Sequence, residues 1–213
     1  MNQFSLLLQS LDYIGIAVFA ATGALAASRK QLDIVAFVFF ATITALGGGT
    51  LRDMLLDVPV FWVRHPWYLA IPLVMSVTVF FTAHLLESRY RVLLWTDAVG
   101  LAAYTVVGAA KTLAVGGSAA DALALGVLTA TFGGVIRDVL AGEPSVILRG
   151  DLYITCAFAG AATFVILTLI GAPFWTGATA GFLVAFLVRA ATLVWGWTLP
   201  RYHPRPGRDS SKL

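Results

Sequence analysis

Apolar stretches of membrane-crossing length follow one another along almost the whole chain, and they constrain its fold more than any other feature. Each runs for roughly 20 residues or more, the length an α-helix needs to cross roughly 30 Å of hydrocarbon. Hydrophobic residues make up 59% of the chain and charged residues only 12%, whereas about a quarter of an ordinary soluble domain is charged. The sequence therefore predicts an all-α integral membrane protein.

Seven such stretches are predicted to be transmembrane helices within one domain over residues 1–197. They cover residues 6–27, 32–57, 67–86, 92–111, 119–141, 152–170 and 174–197. The first ten residues carry no positive charge, so the first stretch is expected to be a retained helix and not a cleaved signal. Residues 198–213 are predicted to form a basic, flexible tail in the cytoplasm.

The distribution of lysine and arginine predicts the topology. With the N-terminus outside and the C-terminus in the cytoplasm, only Arg52, Arg64 and Lys111 fall toward the outer side. The inner side then holds the larger share, as the positive-inside rule requires: Arg29, Lys30, Arg89, Arg91, Arg137, Arg149, Arg201, Arg205, Arg208 and Lys212. The expected location is the inner (cell) membrane of a bacterium, with membrane lipids as partners.

A glycine-rich motif followed by an arginine and an aspartate occurs twice, 85 positions apart. Its copies are Gly47, Gly48, Gly49, Arg52 and Asp53, and then Gly133, Gly134, Arg137 and Asp138. The same ungapped shift places Asp12 on Asp97, Thr44 on Thr129, Pro59 on Pro144 and Tyr68 on Tyr153. This match predicts an internal repeat of three helices each, over residues 6–86 and 92–170. Three crossings are an odd number, so the two repeats must be inverted, with a seventh helix outside them.

The glycine clusters are predicted to break the second and fifth helices near the middle of the membrane. Glycine weakens a helix by about 1 kcal/mol relative to alanine. Carbonyls freed at the break, with the hydroxyls of Thr44 and Thr129, would suit a partly dehydrated cation. These positions are therefore candidates for an ion pathway and its hinges. The alternative is that the glycines only permit close contact between two helices; their occurrence in two symmetric copies favours the breaks.

Charged residues at matching depths form two predicted sets. The first pairs Asp12 with Arg52 and the second pairs Asp97 with Arg137, while Asp53 and Asp138 compete for the two arginines. Such buried pairs are either a static clamp or a gate whose partners exchange.

Two further basic residues have no basic residue at a corresponding position in the repeat. Lys111 corresponds to Ala26, and it is expected either to line an outer vestibule or to contact lipid headgroups. Arg189 in the seventh helix is expected to extend its side chain toward the inner interface.

Enzyme and metal functions find no support in the sequence. The three histidines, His65, His84 and His203, are scattered, and no nucleotide-phosphate loop follows the glycines. Cys156 is the single cysteine, so a disulfide or cysteine metal site is excluded within one chain. We expect no catalytic residues, no cofactor, no nucleic-acid partner and no metal beyond transient monovalent cations.

The two Gly-Gly-x-x-Arg-Asp signatures and the order of seven crossings resemble the trimeric intracellular cation (TRIC) channels, specifically their bacterial members. The resemblance covers about residues 5–197. It implies a homotrimer in which each subunit holds its own pore, framed by kinked second and fifth helices, and passes monovalent cations such as potassium and sodium. Bacterial members of this kind have also been labelled as a glycine-transporter domain family.

Three functions fit the sequence. The leading one is a potassium-permeable channel with a pore in each subunit. The second is a secondary transporter for glycine or another small neutral amino acid, because inverted repeats with broken helices also describe transporters. The third is a structural membrane protein without transport, for which replacement of Gly48 and Gly133 by alanine would be harmless.

Overall fold

The computed structural model describes residues 3–86, 88–145 and 152–200, and within these residues every regular element is a helix. The α-helices are α1 (Gln3–Arg29), α2 (Ile34–Leu55), α3 (Phe61–Arg64), α4 (Ala70–Thr82), α5 (Arg89–Ala114), α6 (Ala119–Leu140), α7 (Tyr153–Leu169) and α8 (Phe174–Trp195). Two 3-10 turns, Pro66–Leu69 and Ala83–Leu85, extend α4 at its ends. Most of the predicted tail, residues 201–213, lies outside the described residues.

Within the described residues, six helical segments are long and apolar enough to cross a membrane: Gln9–Arg29, Ile34–Leu55, Pro66–Leu85, Arg89–Ala114, Ala119–Leu140 and Phe174–Trp195. The shorter apolar helix Tyr153–Leu169 has 17 residues, enough for about 26 Å, and it occupies the place of the predicted sixth crossing. The predicted all-α fold is confirmed. The short helix α3, between the second and third crossings, was not predicted.

Polar caps fix where several crossings begin. Asp33 precedes α2 and accepts a hydrogen bond from the Ala36 amide at 2.8 Å. Ser118 precedes α6 and forms a capping box with Asp121, so that two otherwise unpaired amides are satisfied at the helix start. At the other end of the chain Gly196 adopts φ 66° and ends α8.

The core shows the inverted repeat, in which α1, α2 and α4 correspond to α5, α6 and α7. Phe19 and Tyr104 occupy corresponding positions, and their rings pack at 5.3 Å between centroids. Gly15 leaves room for the Tyr104 ring, and Gly100 leaves room for the Phe19 ring. This reciprocal contact places α1 and α5 at the centre of the molecule, on either side of the pseudo-two-fold axis.

The helix outside the repeat packs on one side only. Helix α8 lies against α7 and α5, where Gly160 and Gly181 let the backbones approach closely. Following the predicted topology, we call the end that holds Lys111 and α3 the outer end, and the end that holds Arg29 and Glu143 the inner end.

Candidate functional site

Helices α2 and α6 cross through their glycines, and the contact is reciprocal. A Cβ atom on Gly48 would overlap the carbonyl oxygen of Thr129, and one on Gly133 would overlap the carbonyl oxygen of Thr44. Both helices continue through their glycines without interruption. The predicted breaks are therefore wrong, and the alternative interpretation, close contact between two helices, describes the structure. The backbone of the other helix can approach this closely because glycine has no Cβ atom. The conformational flexibility of glycine plays no part, since the residues stay helical.

The neighbouring glycines have different surroundings. A Cβ on Gly49 would lie 2.7 Å from the Phe61 ring, and one on Gly134 would lie 2.8 Å from the Tyr153 hydroxyl. At Gly47 a Cβ would meet only the tip of Ile136, at 3.3 Å. The crossing is thus tightest at Gly48 and Gly133 and loosest at Gly47.

The two threonines of the crossing differ in their hydrogen bonds. The Thr129 hydroxyl donates to the carbonyl oxygen of Leu125, within its own helix. The Thr44 hydroxyl is buried and has no hydrogen-bond partner within the described residues. One polar group at the centre of the membrane is therefore left available for a ligand or a water molecule.

In the described part of the chain, the inner charge cluster consists of one arginine and two aspartates, all buried. Arg137 Nη1 donates to Asp97 Oδ1 at 2.8 Å. The same guanidinium donates to Asp138 Oδ1, from Nη2 at 2.9 Å and from Nε at 3.0 Å. The predicted contact between Asp97 and Arg137 is present, and Asp138 shares the arginine.

The outer charge cluster has a different arrangement. Arg52 Nε donates to Asp53 Oδ1 at 2.9 Å, and Lys111 Nζ donates to Asp53 Oδ2 at 3.1 Å. The backbone amide of Phe61 also donates to Asp53 Oδ2, at 3.0 Å. Asp53, and not Asp12, is therefore the carboxylate that pairs with Arg52.

The predicted contact between Asp12 and Arg52 is wrong as a direct ion pair. Both residues are described and buried, and no ion pair within 4.0 Å joins them in the described part of the chain. Arg52 is held by Asp53, the next residue in the chain, as Arg137 is held by Asp138. Lys111, which corresponds to Ala26, adds a second cation beside Asp53 that the inner repeat lacks.

A cavity of about 400 Å³ opens at the outer end and leads to this cluster. Its lining includes Gln9, Asp12, Arg64, Tyr68 and Lys111. The Lys111 side chain is 25% exposed, so it lines this vestibule, as one of its two predicted placements had it. At the inner end the corresponding space measures only about 10 Å³.

Arg189 does not extend to the inner interface. Its side chain is fully buried, with the guanidinium 5.0 Å from the centre of the Tyr153 ring. Its Nη1 donates to the Thr192 hydroxyl at 3.3 Å. An aromatic face and a hydroxyl within reach hold the cation inside the bundle, so the prediction for this residue is wrong.

Two aromatic residues of the outer end had no role in the sequence prediction. Tyr68 lines the outer cavity, and Phe61 both lines it and packs against Tyr68, at 4.9 Å between ring centres. The repeat gave a signal for Tyr68, which matches Tyr153. Phe61 had no such signal, because its counterpart is Val146.

Within the described residues, no group of three or more His, Cys, Asp and Glu side chains is placed to hold a metal ion. The charges of the site are instead arginines and a lysine against aspartates. Two inverted helical triplets, with charged clusters buried toward both ends, define a multi-pass membrane protein of the class that contains channels and secondary transporters.

Comparison with known proteins narrows this class to one family. A family model described as "Glycine transporter" matches residues 9–84 and again residues 94–169, once in each repeat. The chain is 37% identical over 198 residues to the UPF0126 inner membrane protein YadS of Escherichia coli, covering 90% of this chain and 94% of YadS. It is 32% identical over 196 residues to the UPF0126 membrane protein YvgT of Bacillus subtilis, covering 89% and 94%.

Two solved structures have the same fold. The TRIC trimeric intracellular cation channel orthologue from Rhodobacter sphaeroides is 52% identical, with a TM-score of 0.87 over 90% of this chain and 99% of that one. A prokaryotic TRIC channel crystallised in 0.5 M KCl is 28% identical, with a TM-score of 0.84 over 92% of this chain and 100% of that one. The chain belongs to the prokaryotic TRIC family.

Proposed function

We propose that the protein is a monovalent cation channel, permeable to potassium and sodium, with one pore in each subunit of a homotrimer. The observation that carries the proposal is the pair of charged clusters buried within membrane-spanning helices, one of them open to a cavity of about 400 Å³. Charges inside a membrane are costly and mark ion pathways. The similarity to TRIC cation channels supports the same conclusion. We place the protein in the bacterial inner membrane, with the N-terminus outside.

The proposed pathway begins in the outer cavity and passes the outer cluster. The residues we assign to this cluster are Asp12, Arg52, Asp53 and Lys111. It then reaches the crossing of α2 and α6, and leaves through the inner cluster of Asp97, Arg137 and Asp138. We assign the centre of the pathway to Gly47, Gly48, Gly49, Gly133, Gly134, Thr44 and Thr129.

In this proposal the structure represents a closed state. The reciprocal backbone contact at Gly48 and Gly133 leaves no room for an ion, so conduction requires α2 and α6 to slide or separate. The Thr44 hydroxyl, which has no partner among the described residues in the closed state, would then be free to bind a cation. At Gly48 and Gly133 the two helices meet through backbone atoms, as small residues allow in membranes.

We further propose that the charged clusters act as a gate by exchange of partners. Asp53 holds two cations, Arg52 and Lys111, whereas the neighbouring carboxylate of Asp12 faces the cavity. A permeating cation can compete with Lys111 for these carboxylates. Each exchange keeps the buried charges balanced, which avoids the cost of an isolated charge in the membrane.

Ion flux through purified protein in liposomes tests the proposal. We expect fast, non-saturating potassium efflux from liposomes that contain the native protein, and slower efflux with Asp12→Asn, because a cavity carboxylate attracts cations. Asp33→Asn is the matched control: it removes a carboxylate outside the pathway, and asparagine caps a helix as well as aspartate does.

Uptake of labelled glycine in the same preparation separates the channel from the transporter. Saturable glycine uptake without potassium efflux would contradict the channel and support a transporter for small neutral amino acids. Equal potassium efflux from the native protein and Asp12→Asn would remove Asp12 from the pathway.

A further inference from the structure

The two ends of the pathway occupy corresponding positions in the repeat, yet they differ greatly in size. The outer cavity measures about 400 Å³ and the inner one about 10 Å³. Gln9 and Asp12 line the outer cavity. Their counterparts in the second repeat, Leu94 and Asp97, lie at the inner end. The described residues at the inner mouth include some whose counterparts in the other repeat differ in charge.

Three such residues meet at the inner mouth. Arg29 Nη1, at the end of α1, lies 2.9 Å from Glu143 Oε2, just after α6. Lys30 Nζ lies 3.7 Å from Glu143 Oε1. The Arg29 guanidinium also lies 4.5 Å from the centre of the Tyr90 ring, near the start of α5. These contacts tie the inner ends of α1, α5 and α6 together across the inner mouth.

The same positions of the other repeat cannot form these contacts. Ala114 corresponds to Arg29, Val115 to Lys30 and Val58 to Glu143. Val58 and Val115 line the open outer cavity. At corresponding places, the outer mouth thus has apolar side chains that do not pair, and the inner mouth has opposite charges that do.

We propose that Arg29, Lys30 and Glu143 form an ion-pair latch that holds the inner mouth shut and whose release opens it. The inference rests on the proposed channel function and adds to it the position of a gate. The Arg29 and Glu143 side chains are 27% and 17% exposed, so water and salt reach them. Ion pairs in such surroundings are weak and are screened by salt, which suits a contact that has to open during function.

A second contact keeps the same region together when the latch opens. Arg89 donates from Nη1 to the carbonyl oxygen of Ser28 at 3.1 Å, and from Nε to the carbonyl oxygen of Ala83 at 3.1 Å. These bonds join α5 to the ends of α1 and α4 without Glu143. Loss of the Glu143 charge should therefore open the mouth and leave the helices assembled.

Thiol labelling of purified protein tests the latch without any ion flux. In a Cys156→Ala background, Ala26→Cys places a thiol in the inner mouth, where Ala26 is 4% exposed. A charged, water-soluble thiol reagent should react slowly with this variant. Addition of Glu143→Gln should raise the reaction rate about two- to fivefold, as expected for loss of a partly exposed ion pair.

Three controls accompany this measurement. Val115→Cys in the outer cavity should react at the same rate with and without Glu143→Gln, because the latch does not reach it. Glu143→Arg should speed labelling of Ala26→Cys, and Arg29→Glu together with Glu143→Arg should slow it again. Arg29→Gln removes the pair from its other side and should act like Glu143→Gln, so the test does not depend on the folding of a single variant.

An unchanged rate at Ala26→Cys in Glu143→Gln, Glu143→Arg and Arg29→Gln would overturn the latch. Potassium efflux measured in parallel should rise in Glu143→Gln. Faster labelling with no potassium efflux from any variant would support the latch and contradict the channel. Potassium efflux that is the same in native protein and Glu143→Gln, with unchanged labelling, would contradict the latch and support the channel.

Discussion

At the scale of single residues, the inner and outer clusters differ in how their charges are satisfied. Arg137 forms ion pairs with two buried carboxylates, whereas Asp53 forms ion pairs with two cations. Among the described contacts, the inner cluster is therefore centred on one arginine and the outer cluster on one aspartate. We therefore make a separate prediction for each cluster.

Replacement of Arg137 by methionine should destabilise the protein strongly. It would leave the buried Asp97 without the cation that it pairs with, and removal of one partner from a buried pair costs about 3–5 kcal/mol. Thermal unfolding in detergent measures the effect. Arg91→Gln, at an exposed position on α5, is the control and should unfold like the native protein. Equal unfolding temperatures for Arg137→Met and native protein would show that the cluster is not a structural clamp.

Replacement of Lys111 by glutamine should increase cation conductance. It removes a positive charge from the outer cavity and leaves Asp53 with one cation fewer, so the local concentration of cations rises, and we expect about a twofold or larger current. Single-channel recording in a lipid bilayer measures it. Lys111→Arg keeps the charge and should retain the native current. A smaller current in Lys111→Gln would mean that Lys111 has another role.

Residue contacts were also where sequence reasoning reached its limit. The pair of Asp97 and Arg137 could be predicted because both residues recur at equal spacing in the two repeats. The absence of the equivalent contact at Asp12 could not be predicted, because Asp12 and Arg52 recur at the same spacing, and the contact of Lys111 on α5 with Asp53 on α2 joins distant segments. Arg189 shows the same limit, since only the packed structure reveals the Tyr153 ring beneath its guanidinium.

At the scale of helices, the crossing of α2 and α6 determines which glycines can change. Gly48→Ala and Gly133→Ala would each push a methyl group into a backbone carbonyl of the other helix. Overpacking of this kind costs about 1–3 kcal/mol, so both variants should unfold at lower temperature. Gly47→Ala meets only the tip of Ile136 and gains helix propensity, so it is the matched control.

The comparison of these three variants also tests the shared contact. If Gly48→Ala and Gly133→Ala destabilise the protein to similar extents, the two halves of the crossing contribute equally to its stability. If Gly47→Ala is as harmful as the other two, the close contact is not the reason for the glycines.

Helices were the most predictable level of the fold. Membrane-crossing length and the ungapped recurrence of Gly, Pro, Asp and Arg were sufficient to predict seven crossings and an inverted repeat. The same glycines misled the prediction of helix breaks, because a glycine in a helix signals either flexibility or close approach. The approach of Thr129 to Gly48 is a contact between distant segments, and the local sequence does not contain it.

At the scale of the whole molecule, we expect three copies to assemble. Three chains of 22.7 kDa should give a particle of about 68 kDa apart from bound detergent and lipid. Native mass spectrometry of the purified protein, after removal of the detergent in the gas phase, measures this mass directly. Exposed apolar side chains on α4, such as Val74 at 61% and Phe81 at 66%, require a cover of lipid or of another subunit. A stable monomer that still conducts potassium would contradict the assembly and leave the channel in place.

The reciprocal contact at the pseudo-two-fold axis has a consequence for the ancestry of the chain. Gly48 meets Thr129 in the same way that Gly133 meets Thr44, so each repeat supplies both halves of one self-complementary surface. Two separate copies of a three-helix protein, inserted in opposite directions, would form the same crossing as an antiparallel dimer. Fusion of two such copies would fix the orientation of each half. Once the halves differ in sequence, one mouth can hold Lys111 and the other Arg29 and Glu143, and the two directions of the membrane are no longer equivalent.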